Sequence, residues 1–225
     1  MSSAETICAL ATPIGNASVG IIRLSGPRAL ELAKLVTHKS LTPRYAHFSS
    51  FYDDNDEVID QGIAIYFPAP NSFTGEEVVE LQLHGNPHVC QQIINSLNKQ
   101  GARQALAGEF SERAFINGKL DLTQLEAIAD LIASGSEQAA KSAVQSMQGK
   151  FSQQVEQILT QLIQIRTHIE ATLDFAEEDI ETEAREIVST KLIALSAQVH
   201  DLFDLAQKGA QLQKGFTIVI TGSPN

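Results

Sequence analysis

The sequence predicts an α+β protein in which a mixed α/β region comes first and a bundle of long helices follows. Two observations carry this prediction. Short apolar and β-branched runs, separated by glycine and proline, fill the chain up to about residue 108. From Lys119 to Lys214 there is no proline, and apolar side chains recur every three or four positions. We therefore expect an N-terminal domain over 1–118, a helical domain over 119–214, and a separate segment over 215–225.

Strands and helices alternate in the first region. One helix is expected from Pro27 and another from Pro87, because proline suits the first position of a helix. The second helix should end before Gly101. Four runs read as strands: Thr6–Ala11, Val19–Leu24, Gly62–Phe67 and Val78–Leu83.

The second region contains three stretches with helical periodicity. They cover Leu122–Ile132, Phe151–Leu173 and Val188–Ala206. The segment Ser134–Glu137 has the spacing of a capping box and predicts a break between helices. A bundle or hairpin of long amphipathic helices is expected.

Composition excludes several classes of protein. The net charge of −11 argues against a protein that coats nucleic acid through a basic surface. Two cysteines do not make a disulfide framework. No apolar run reaches the length of a membrane span, and no secretory signal opens the chain. These features predict a cytoplasmic protein with no membrane association.

The strand Val78–Leu83 carries polar side chains on one face. Glu80, Gln82 and His84 alternate with apolar residues and so point to the same side. A carboxylate there is suited to accept hydrogen bonds from the donor-rich edge of a heterocycle. A solvent-facing side of the strand explains the pattern equally well.

Two cations have no evident local partner. Arg23 lies among apolar residues of a strand, where it is suited to bind a carboxylate through two hydrogen bonds. Lys119 is expected at the start of the first long helix, where a positive charge opposes the helix dipole. Each residue either contacts an anionic ligand or forms an ordinary ion pair.

The last residues contain half of a phosphate-binding motif. A strand over Phe216–Thr221 leads to Gly222, which would be the first glycine of a P-loop. An ordinary turn has the same pattern. Because the 225 residues lack the lysine and hydroxyl that complete a P-loop, we expect them to bind no nucleotide, and we expect the chain to be part of a longer protein.

Five segments together resemble the MnmE (TrmE) family of tRNA-modifying GTPases, and the resemblance spans the whole chain. They are Ala11–Gly15, Val19–Gly26, Pro70–Glu76 with Glu80 and His84-Gly85 after it, Gly108–Leu122 and Glu126–Ile132.

The resemblance implies a ligand and its residues. The N-terminal domain of the family is similar to the tetrahydrofolate-binding domain of one-carbon enzymes and drives homodimerisation. The ligand is a 5-formyl- or 5,10-methylene-tetrahydrofolate, and the family's folate-contacting residues fall on Arg23, Glu80 and Lys119. The residue that coordinates K⁺ beside the phosphates of GTP, with Mg²⁺ also bound, falls on Asn225. No catalytic residue falls within this chain.

The resemblance also implies a reaction and partners. With the FAD-containing partner MnmG, the family modifies carbon 5 of the wobble uridine in certain tRNAs, and the folate supplies the methylene carbon. The G domain is inserted into the helical domain, so 215–225 would be its first strand. Two alternatives stay open: a folate-dependent aminomethyl-transfer enzyme without a GTPase, and a dimerisation scaffold with an empty pocket.

Overall fold

The computed structural model describes residues 5–174, 181–214 and 221–222. The chain divides into two compact units, Met1–Leu120 and Asp121–Asn225. The strand expected at 216–221 lies almost entirely outside the described residues, and Asn225 lies outside them as well. The domain boundary at 118/119 and the separate segment 215–225 remain predictions.

The first unit is built on one sheet of six strands. Its order is β3-β4-β5-β2-β1-β6, and every neighbouring pair is antiparallel except β1 and β6. The strands are β1 Ile7–Leu10, β2 Ala17–Ser25, β3 His47–Tyr52, β4 Val58–Phe67, β5 Val78–Gly85 and β6 Arg103–Gln104.

Two helices cover one face of this sheet. They are α1, Ala29–Thr37, and α2, Pro87–Lys99. Proline begins α2 as expected, and the side chain of Asn86 caps it by accepting a hydrogen bond from the backbone N–H of His88 at 2.9 Å. The core between helices and sheet includes the fully buried Ile22, Leu24, Leu32, Leu81, Ile93 and Leu97.

The opposite face of the sheet is partly uncovered. Alternation along the strands places Phe48, Ile63, Gln82 and Ile21 in one row across β3, β4, β5 and β2. Phe48 is 65% exposed, and the other three are half-buried. The loop between β4 and β5 and a short helix, α3, Glu109–Ile116, lie against residues at one end of this face.

Two local contacts shape strands β3 and β4. A β-carbon added at Gly62 would lie 1.9 Å from the carbonyl oxygen of Gln82, so only glycine fits there. At the edge strand β3, the Lys39 ammonium donates a hydrogen bond of 2.6 Å to the carbonyl oxygen of Phe48.

The predicted α+β class is confirmed, and three elements were not foreseen. Strand β3 carries adjacent serines, Ser49 and Ser50, which interrupt its apolar alternation. Strand β6 has two residues, and helix α3 begins after Gly108, which offers no capping side chain. The helix expected from Pro27 begins at Ala29.

Four helices make up the described part of the second unit: α4 Leu122–Ala133, α5 Glu137–Met147, α6 Lys150–Asp174 and α7 Glu181–Lys214. A capping box begins α4, because Asp121 accepts from the backbone N–H of Gln124 and Gln124 accepts from that of Asp121. The break before α5 was predicted correctly, but its cap is Ser136 and not Ser134. Within the described ranges, no helix combines the length and apolar character needed to cross a membrane.

Helix pairing in this unit leaves few side chains buried. Helix α4 packs on α5, where Ala127 and Ala143 are buried, and α6 packs on α7, where Ile165 and Leu195 are buried. Many large apolar residues stay exposed on the two long helices: Val155, Leu159, Leu162, Ile163, Leu173, Leu192, Ile193, Val199, Phe203 and Leu205.

Candidate functional site

Arg23 and Glu80 form an ion pair across two neighbouring strands. The register of β2 and β5 places them directly opposite each other. The Arg23 Nε and Nη2 atoms both donate to Glu80 Oε1, at 2.9 and 2.8 Å. Of the two alternatives for Arg23, the structure shows the ion pair, with Glu80 as the partner. Their separation of 57 positions concealed the pairing in the sequence.

Two aromatic rings flank the Arg23 guanidinium. Its Cζ lies 4.9 Å from the ring centroid of Phe73 in the β4–β5 loop and 5.6 Å from that of Phe110 in α3. Both distances are within the range of cation–π contacts. All four side chains of the site are half-buried: Arg23, Glu80, Phe73 and Phe110. The pair therefore lies between two apolar walls and remains partly open to solvent.

One oxygen of Glu80 is left without a protein donor. Both guanidinium hydrogen bonds end on Oε1, and no side chain or backbone N–H of the described residues donates to Oε2. An ionised carboxylate oxygen is a strong acceptor. The site therefore presents one free acceptor beside two aromatic rings.

Lys119 lies near the same loop but does not contact the pair. Its Cγ and Cδ atoms would be 3.2 and 3.3 Å from a β-carbon at Gly75, which has a φ of +78°. The side chain is exposed and forms no ion pair with the described residues. The expectation that Lys119 opens a helix is wrong, since α4 begins at Leu122 and is capped by Asp121. Lys119, on the turn after α3, is thus a cation without an ion-pair partner among the residues that the structure describes.

A buried ionic network lies next to the pair, and no sequence pattern predicted it. Arg113 donates to Glu76 Oε2 and to Glu109 Oε1, both at 3.0 Å. Arg103 also binds Glu109, and these hydrogen bonds lower the pKa of Glu109 to about 2. Glu76, Glu109 and Arg113 are each less than a tenth exposed. A run of charges in a helix normally faces solvent, so the pattern gave no signal of burial.

The other polar candidates form local contacts. His84 Nδ1 lies 2.8 Å from Asp60 Oδ1, in an exposed pair. Burial raises the pKa of the Cys8 thiol to about 11, so this cysteine is a poor nucleophile. In the part of the chain that the structure describes, no three side chains of the metal-ligating types come together.

This arrangement is suited to binding. A free carboxylate oxygen accepts from a ligand with a donor edge, aromatic rings stack on a planar ligand, and a lysine attracts a negative group. Together they fit a planar heterocycle with an anionic tail.

Comparison with known proteins identifies the chain's relatives. Residues 6–119 match the family described as "GTP-binding protein TrmE N-terminus", and residues 122–217 match the "MnmE helical domain". The chain belongs to the MnmE (TrmE) family. Curated MnmE relatives, each named "tRNA modification GTPase MnmE", include the protein of Coxiella burnetii (strain Dugway 5J108-111), which is 50% identical over 221 residues. Those of Francisella philomiragia and Pseudomonas fluorescens are 48% and 49% identical.

These alignments cover nearly all of the chain but about half of each MnmE relative. They take in 98%, 100% and 98% of this chain, and 49%, 50% and 48% of the respective relatives. The chain therefore spans about half the length of the curated relatives it matches.

Two of the segments that carried the family resemblance surround the ion pair. Pro70–Glu76 holds Phe73 and Glu76, and Gly108–Leu122 holds Glu109, Phe110 and Arg113. The two segments meet through the Arg113–Glu76 ion pair and through a hydrogen bond of 2.7 Å from Asn117 Nδ2 to the carbonyl oxygen of Thr74. These contacts supply the walls of the site, which the residues alone did not reveal.

Proposed function

We propose that this chain is the N-terminal part of a tRNA-modifying GTPase, and that its first unit binds a tetrahydrofolate. In the complete protein, with the FAD-containing partner MnmG, the folate supplies one carbon for an aminomethyl or carboxymethylaminomethyl group. That group is installed on carbon 5 of the wobble uridine of certain tRNAs. The protein acts in the cytoplasm.

The free oxygen of Glu80 is the observation that carries the folate proposal. The amino-pyrimidine edge of a pterin presents N–H donors, and Glu80 Oε2 is an acceptor with no donor among the described residues. Phe73 and Phe110 provide aromatic surface for the planar ring. Arg23 binds the other oxygen of this carboxylate and fixes its orientation.

Lys119 is proposed to bind the negative tail of the ligand. The glutamate part of a tetrahydrofolate carries carboxylates, and Lys119 is an exposed cation without an ion-pair partner in the described chain. Its aliphatic stem lies along Gly75, which belongs to the same loop as Phe73. The β4–β5 loop would thus help to bind both parts of the ligand, the ring through Phe73 and the tail through Lys119.

We also propose that the chain forms a homodimer through its first unit. The support is the row of Phe48, Ile63 and Ile21 on the sheet face that the helices leave uncovered. A second copy would remove this apolar surface from water.

GTP hydrolysis is proposed for the complete protein only. The residues of this chain include no Gly-Lys-Ser or Gly-Lys-Thr, so by themselves they are proposed to be inactive as a GTPase. Asn225 is proposed to coordinate K⁺ beside the phosphates of GTP, with Mg²⁺ also bound there.

Two ligands test the proposal: 5-formyl-tetrahydrofolate and an analogue without the glutamate tail. Calorimetric titration of 5-formyl-tetrahydrofolate into the chain should show saturable binding. Lys119→Ala should weaken that binding by up to about fivefold, as expected for one exposed ion pair. The same substitution should not change the affinity for an analogue without the glutamate tail.

The matched control is Lys34→Ala, which removes another exposed lysine of the first unit. It should leave both affinities unchanged. Absence of any binding by the unmodified chain would instead favour a dimerisation scaffold with an empty pocket. Folate binding by a complete natural chain without Gly-Lys-Ser after Asn225 would favour the stand-alone aminomethyl-transfer enzyme.

A further inference from the structure

Arg113 joins parts of the first unit that are distant in sequence. Its guanidinium donates three hydrogen bonds of 3.0 Å, to Glu76 Oε2, to Glu109 Oε1 and to the backbone carbonyl oxygen of Glu5. The side chain is 5% exposed, and its three hydrogen bonds all end on protein groups. Arg113 is thus a buried connector and not a binding residue.

The first connection reaches the loop that carries Phe73. Glu76 lies three residues after Phe73 and also accepts a hydrogen bond of 2.8 Å from Ser25 Oγ. Ser25 in turn lies 2.6 Å from Thr74 Oγ1. Both ends of the short segment from Thr74 to Glu76 are therefore tied to β2, two residues from Arg23.

The second connection reaches the helix that carries Phe110. Glu109 precedes Phe110 and accepts from Arg113, from Arg103 and from the backbone N–H of Leu106 at 2.8 Å. Phe110, the next residue, is therefore fixed in position at the start of α3. The guanidinium of Arg113 therefore acts on both aromatic walls of the site indirectly, through Glu76 and through Glu109.

Burying several charges is not an efficient way to stabilise a fold. Taking carboxylates and guanidinium groups out of water costs free energy that their attraction only partly returns, and apolar replacements are often as stable. The network fixes geometry, because a planar guanidinium requires its acceptors at defined positions. Loss of the network should therefore affect the placement of the neighbouring aromatic residues more than the free energy of unfolding.

We propose that Arg113 is a positioning residue, which holds Phe73 through Glu76 and Phe110 through Glu109 around the Arg23–Glu80 pair and so sets the affinity of this pocket. The ligand is the tetrahydrofolate of the proposed function, on which this inference rests. The same loop also supports Lys119, since Asn117 binds Thr74 and Gly75 lies against the lysine stem. Loss of the Arg113 contacts therefore releases both ring walls and the tail-binding cation.

The test substitutes Arg113→Lys, which keeps the charge but cannot reach three acceptors in a planar array. Calorimetric titration with 5-formyl-tetrahydrofolate should show an affinity at least tenfold lower. Arg28→Lys is the matched control, because Arg28 forms an exposed pair with Glu31. It should bind as the unmodified chain does.

A spectroscopic measurement reports on the walls without any ligand. Fluorine NMR of 4-fluorophenylalanine incorporated at position 73 should change in chemical shift or linewidth in Arg113→Lys. The same label at Phe51, which is fully buried in the core, should not change. A general loss of structure would alter both positions.

Glu76→Gln covers the case in which Arg113→Lys does not fold. Glutamine keeps the shape and one acceptor, so it should fold and show the same changes to a smaller degree. Unchanged affinity together with an unchanged signal at position 73, in a folded variant, would overturn the inference. If the unmodified chain binds no folate, the proposed function fails, while the signal at position 73 still decides the positioning role.

Discussion

Arg23 and Glu80 face each other across strands β2 and β5, and two nitrogens of the guanidinium bind the same carboxylate oxygen. This geometry differs from the common pairing in which two nitrogens bind two oxygens. It uses two of the five N–H donors of the arginine and leaves the second carboxylate oxygen without a donor among the described residues. One side chain can therefore belong to an ion pair and still accept a hydrogen bond from a ligand.

Glu80→Ala should weaken binding of 5-formyl-tetrahydrofolate by roughly ten- to a hundredfold, the loss of about 1.5–3 kcal/mol expected for a charge-assisted hydrogen bond. Calorimetric titration measures this. Glu31→Ala, which breaks the exposed pair with Arg28, is the control and should bind normally. Equal affinities of Glu80→Ala and the unmodified chain would assign Glu80 to the fold alone.

Acid should destabilise the first unit through Glu109. Hydrogen bonds from Arg103 hold its pKa at about 2, below the ordinary value of 4.5. The stabilisation is therefore fully present above about pH 4.5 and is lost as the pH falls from 4.5 towards 2. Urea unfolding at a series of pH values should show a shallower decline in this range for Glu109→Gln. The two proteins having parallel pH profiles would contradict this.

Gly62→Ala should destabilise the sheet. The new β-carbon would lie 1.9 Å from the Gln82 carbonyl oxygen, so the backbone of β4 or β5 must move, at a cost of about 1–3 kcal/mol or more. Urea unfolding gives the change in free energy. Gly209→Ala is the matched control: it adds a β-carbon inside α7 that meets no described atom within 4 Å apart from the local backbone of the helix, and it should stabilise by roughly 0.4–1 kcal/mol.

Asp121→Ala should weaken helix α4. It removes the side chain that accepts from the backbone N–H of Gln124 at 2.8 Å, and loss of such a cap costs about 1 kcal/mol. The ellipticity at 222 nm and the free energy of unfolding should both fall. Asp130→Ala, near the C-terminal end of the same helix, should be neutral or slightly stabilising, because a negative charge opposes the helix dipole there.

The proposed dimer should depend on the uncovered sheet face. Sedimentation of the 24.4 kDa chain at micromolar concentration should show a dimer, and Phe48→Asp should shift it towards monomer. Leu35→Asp alters an exposed apolar residue on α1, over the other face of the sheet, and should have no effect. A monomer for the unmodified chain would contradict the proposal.

Local patterns predicted most of the regular structure, and long-range pairing supplied what they could not. The α4, α6 and α7 helices follow from apolar periodicity, and α2 follows from Pro87 and the residues after it. The Arg23–Glu80 pair depends on the register of two strands far apart in the chain, which alternation alone does not determine.

The capping residues and the buried network show the same limit. Ser134 and Ser136 both have residues suited to a helix start after them, and only the backbone decides between them. Arg113 and Glu109 are one helical turn apart, which is typical of an exposed surface pair. Their burial follows from Glu76, which arrives from another part of the fold.

The contact of Lys39 with the carbonyl oxygen of Phe48 bears on how copies of this protein avoid pairing with one another through their edge strands. An edge strand offers unsatisfied peptide groups on which the strand of a neighbouring molecule can assemble. Here an ammonium group occupies one of those acceptors and places a charge beside a phenylalanine that is itself exposed. Growth of a continuous intermolecular sheet is thereby obstructed at the edge, while the face of the same strand stays accessible.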